Sequence, residues 1–80
     1  MYQIQLNSDV RNYIQRPVRG QGGFQTLLRR LQKRTNMSDG ILTLSHEDVE
    51  VLQKYYSDFG QGGFQNRIKW ILDRVEIEHT

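Results

Sequence analysis

Apolar residues at Tyr2, Ile4 and Leu6 alternate with polar ones, and Leu42 and Leu44 do the same. A period of two predicts short strands over about 2–6 and 41–44. After each strand the period lengthens. Val10, Tyr13 and Ile14 share one helical face, as do Val49, Leu52, Tyr55, Tyr56 and Phe59. Asn7 or Ser8 supplies a cap to the first of these helices, and Pro17 closes it. Ser45, with Asp48 three residues on and Glu47 between, caps the second, which has no proline and is expected to run on to Phe59. Phe24, Leu28 and Leu31, and then Phe64, Ile68, Ile71 and Val75, recur at i, i+4, i+7 and mark two further helices starting near Gly23 and Gly63. Residues 36–40, Asn-Met-Ser-Asp-Gly, read as the connecting turn. The tail 75–78 alternates again and reads either as a short last strand or as a frayed helix end.

The two halves share more than a pattern. GQGGFQ stands at 20–25 and again at 60–65. Displaced by 40 residues, Phe24, Leu28 and Leu31 overlay Phe64, Ile68 and Ile71, Arg29 overlays Lys69, and Arg34 overlays Arg74. Upstream, IQLNSDV resembles LTLSHEDV at a displacement of 38 to 39. The repeats are therefore about 2–36 and 41–78. The expected fold is mainly α: four helices in two duplicated helix–Gly corner–helix units related by a pseudo-twofold axis, with the two strands pairing antiparallel across it. Eighty residues make one small domain, which buries only about 60% of the surface that its unfolded chain exposes.

Composition narrows the setting. Without cysteine there is no disulfide framework and no thiolate zinc site. No apolar run approaches a membrane span, and MYQIQLNSD lacks the basic start and apolar stretch of a signal peptide. The expectation is a soluble, cytoplasmic protein with no membrane partner, in which the sequon Asn36-Met37-Ser38 is a chance match. The net charge of +2 is unevenly spread. Residues 1–38 hold seven Arg/Lys against one Asp, and residues 39–80 hold four against eight Asp/Glu. A half at +6 invites a polyanion or an acidic partner, and a half at −4 repels the former.

The hexapeptide admits two readings. In the architectural one, glycines turn the corner between helices, the phenylalanine fills the core and the glutamines satisfy backbone groups. That leaves the glutamines underexplained. Gln21/Gln61 and Gln25/Gln65 are identical in both copies, whereas Thr26/Asn66 and Leu27/Arg67 have diverged. In the functional reading, glycine-rich amides at a helix N-terminus form an anion site. Copy one surrounds it with Arg16, Arg19, Arg29, Arg30, Lys33 and Arg34. Copy two has Asp58 and Phe59 in place of Val18 and Arg19, and carries Glu47, Asp48 and Glu50 before it. Anions are expected mainly at copy one.

VRGQG, residues 18–22, matches apolar-x-Gly-x-Gly, and DFGQG, residues 58–62, keeps the glycines. Helix, glycine hairpin, helix, twice over, resembles the tandem helix-hairpin-helix modules of nucleic-acid-binding proteins, although Gln21 and Gln61 stand where that family prefers an apolar residue. The resemblance implies sequence-independent phosphate contact from Gly20, Gln21, Gly22 and Gly23.

Enzyme chemistry has little support. His46 and His79 are the only histidines, and no P-loop lysine follows the glycines, so neither catalysis nor a cofactor is expected. Trp70 overlays Arg30 on the flank of its helix, and Tyr55 and Tyr56 are adjacent, so one tyrosine is available to a partner. Arg29/Lys33 and Arg30/Arg34 are like-charge i, i+4 pairs that cost roughly 0.2–0.5 kcal/mol each unless neutralised. The leading expectation is a non-enzymatic module that contacts nucleic-acid backbone through Arg16, Arg19, Gly20, Gln21, Gly22, Gly23, Arg29, Arg30 and Lys33. The alternative is a protein-interaction module or small regulator, with Gln61, Trp70 and Tyr55 at a protein partner or at a second copy in a homodimer.

Overall fold

In a computed structural model that describes residues 1–58 and 63–79, the elements run β1 (Tyr2–Gln5), α1 (Ser8–Ile14), α2 (Gly23–Arg34), β2 (Thr35–Asn36), β3 (Ile41–Leu44), α3 (His46–Asp58) and α4 (Gly63–His79). The protein is mainly helical, as the apolar spacing predicted, and its three strands form an antiparallel sheet of order β1-β3-β2. Among the described residues no helix is long and apolar enough to cross a membrane. The chain divides into two compact units, residues 5–42 and residues 1–4 with 43–80.

In the unit 5–42, the Asn7 side chain accepts from the Val10 N–H at 2.8 Å and starts α1. Val10 and Ile14 form the buried face of α1, and Leu27, Leu28 and Leu31 that of α2. Leu27 joins this face although its repeat counterpart is Arg67. At the end of α2 the backbone turns extended, and the Thr35 hydroxyl donates to Leu31 O at 2.8 Å, satisfying a carbonyl that the helix leaves open. Thr35 and Asn36 then pair with Leu42 and Ile41 as β2. The sequence pattern assigned Asn36 to a turn; two residues are too few for a period of two to register.

The hairpin turn is held by side chains. Asn36 Oδ1 accepts from Ser38 N–H at 2.9 Å, and Asp39 Oδ1 accepts from Ile41 N–H at 3.0 Å. Gln5 Nε2 donates to Asp39 O at 2.8 Å, and the Arg11 guanidinium donates to Met37 O.

In the other unit, Ser45 and Asp48 form a reciprocal cap on α3. The Asp48 N–H donates to Ser45 Oγ at 3.1 Å, and Asp48 Oδ2 accepts from the Ser45 N–H at 2.9 Å. Val49 and Leu52 of α3 and Phe64, Ile68, Ile71 and Val75 of α4 are buried. Of the two readings open for 75–78, the strand is corrected and the helix end holds: α4 continues through to His79. Val75 extends the helical stripe that begins at Phe64, whereas Ile77 is 68% exposed, so the apolar-polar alternation at the tail has no buried face to serve. Phe59, where α3 was expected to reach, lies outside the described residues.

Asp48 is only 1% exposed, so its cap is insulated from water. Asp48→Ala should lower the unfolding free energy by about 1–2 kcal/mol in urea titration, and Asp48→Asn, which keeps an acceptor, by less.

Candidate nucleic-acid interface

The unit 5–42 holds seven Arg/Lys against two Asp, a net +5, so the positive charge seen along the sequence belongs to one compact body. Its turn between α1 and α2 is the GQGG corner. Gly20 has φ +83°, a left-handed conformation that disfavours any side chain. Gly22 is different: its backbone is extended, with φ −157°, and what excludes a side chain is Gln25, whose Oε1 would lie 2.6 Å from a Cβ. The Gln25 side chain therefore folds back over the turn and is half-buried, while Gln21 is exposed. One glutamine of the hexapeptide is architectural and the other faces solvent. Gln65, the counterpart of Gln25, is buried; Gln61, proposed for a partner contact, lies outside the described residues.

α2 begins at Gly23 with Gly22 as its N-cap and no side-chain cap bond. Residues 19–23 are exposed, so the positive end of the helix dipole is open to a ligand's oxygens. Away from the buried leucines, α2 carries Thr26, Arg29, Arg30 and Lys33. Arg29 and Lys33 lie about 9 and 15 Å along the axis from Gly23. That length matches about four charges of a nucleic-acid strand, at roughly 3.4 Å of axis each. Among the described residues neither they nor Arg19 have an acidic partner. Arg16 is exposed, and its guanidinium sits 4.4 Å from the Tyr13 ring centroid, a cation–π contact that fixes it beside the corner.

A residue outside the sequence-based set positions all of this. Gln32 Nε2 donates to Ile14 O at 2.8 Å and to Arg16 O at 2.7 Å, tying α2 to the end of α1. Its repeat counterpart is Leu72, so the hexapeptide comparison gave no hint of it.

Tyr55 and Trp70 belong to the other unit. Tyr55 is half-buried, edge-on to Phe64 with ring centroids 5.5 Å apart, and the more open member of the pair is Tyr56, at 38% exposed. Trp70 is half-buried, with the Arg74 guanidinium carbon 5.7 Å from its ring centroid. His46 bonds Glu50 at 3.1 Å, one turn along α3. No protein-family model matches the chain, and no curated protein or solved structure is significantly similar to it.

Gly20→Ala should cost about 1–2 kcal/mol in urea unfolding because of its left-handed φ. Gly22→Ala should cost less, and that cost should vanish in a Gln25→Ala background, where the obstructing amide is gone. Gln32→Met keeps the length of the side chain and loses both donors; a loss of about 1–3 kcal/mol is expected in the same assay.

Proposed function

We propose that the protein is a small non-enzymatic cytoplasmic module that grips nucleic-acid backbone without reading sequence. The observation that carries this is the uncapped N-terminus of α2 leading onto an outer face where Arg29 and Lys33 stand without acidic partners among the described residues. Exposed amides at 20–23 receive one phosphate, and Arg16, Arg19, Arg29, Arg30 and Lys33 neutralise its neighbours. The resemblance to helix-hairpin-helix modules supports the same reading. In it, the repeats 2–36 and 41–78 are a duplication about a pseudo-twofold axis in which the first copy kept the phosphate contacts and the acidic second copy became scaffold.

Fluorescence anisotropy with random duplex and single-stranded oligonucleotides across a salt series tests it. Binding should weaken steeply with salt, the slope falling by about 0.9 for each phosphate contact removed. Arg19→Glu with Arg29→Glu and Lys33→Glu, with the fold checked by circular dichroism, should abolish binding at moderate salt. Absence of binding by the wild type at low salt, or an unchanged affinity in the triple variant, would sink the reading.

A further inference from the structure

Within residues 1–4 and 43–80 an open groove of about 360 Å³ lies along α3 and α4. Val49, Leu72 and Val75 give it an apolar floor, and Tyr2, His46, Gln53 and Glu76 a polar rim. We propose that this groove docks a second copy of the chain, and that what it receives is the basic outer face of that copy's α2.

Two observations select this occupant. The first is charge. The unit bearing the groove holds seven Asp/Glu against four Lys/Arg, a net −3, whereas the unit bearing α2 is at +5. Around the groove, Asp73 is taken by Lys69 at 3.0 Å and Glu50 bonds His46. Glu76 is exposed and has no ion partner among the described residues. The chain thus displays an unmatched carboxylate on one unit and unmatched Arg29 and Lys33 on the other. The second observation is the mixed lining. An apolar floor under a polar rim suits long side chains that lay a methylene stem on carbon and keep a charged head at the edge, as Arg and Lys do. Arg29 and Lys33, one helical turn apart, offer two such stems from one face.

The two surfaces differ, so the contact is head-to-tail. Each docked copy leaves a groove open at one end of the assembly and a basic face at the other, and association does not close at a dimer unless rotation brings the ends together. The inference stands apart from the phosphate reading, since it needs only the full chain and no nucleic acid.

Sedimentation velocity of the full chain over a concentration series, in low salt and in 1 M salt where the Debye length is about 3 Å, tests it. The sedimentation coefficient should rise with concentration in low salt and stay flat in 1 M salt. Glu76→Lys with Gln53→Lys, and separately Arg29→Glu with Lys33→Glu, should each weaken association about tenfold or more, as loss of close charge pairs does. A 1:1 mixture of the two variants should regain it, because one still brings the native α2 face and the other the native groove. A wild-type chain that stays monomeric in low salt overturns the proposal, as does association that survives the groove variant. A mixture that remains dissociated also overturns it, since groove and α2 then do not pair; a basic segment added in trans that fills the groove without self-association would assign it to another protein.

Discussion

The side-chain amide of Gln32 has two hydrogens, and each meets a carbonyl at or just beyond the end of α1, Ile14 O and Arg16 O. Backbone N–H groups of Gln15 and Arg16 reach Arg11 O and Tyr13 O at the end of α1 but not Ile14 O, and the chain beyond must cross exposed ground to reach α2. One amide therefore does two jobs. It satisfies the end of α1, and it fixes where Arg16 and the Gly20 turn lie relative to the first amides of α2. Leucine, which stands at the corresponding position of the second repeat, could pack there but would leave both carbonyls without a donor.

The four helices and the strands at 2–5 and 41–44 were legible because each has a strong local signal: a cap at Asn7 or Ser45, a proline after α1, apolar stripes at 3.6 or 2 residues. What was not legible lies where local pattern and tertiary context diverge. β2 follows from the extended backbone after α2 and from its pairing with β3, which no window of two residues can encode. At the tail, Val75 belongs equally to a two-residue alternation and to a helical stripe, and burial of the stripe decided for α4. The hexapeptide pointed to its glycines, yet Gly20 answers to φ and Gly22 to the approach of Gln25, a distinction that arises only in the folded chain. Gln32 carried no signal at all, being an ordinary polar residue on an amphipathic helix.

Arg29 and Lys33 recur in both functional arguments, and for one physical reason. Like charges one turn apart repel within their own helix, so anything that supplies negative charge lowers that cost. Under the two proposals a phosphate backbone and the rim of a neighbouring groove answer the same electrostatic problem, so a copy whose α2 held nucleic acid would have no basic face left to offer another copy.

The division of the chain bears on the order in which it can be assembled. Residues 5–42 are continuous in the chain and are synthesised before most of the other unit. Residues 1–4 are made earlier but belong with 43–80, and Ile4, fully buried in the finished protein, waits for α3 and α4 to be synthesised. An extension fused to Met1 is thus attached to a segment whose own unit is completed only when the far end of the chain has been made.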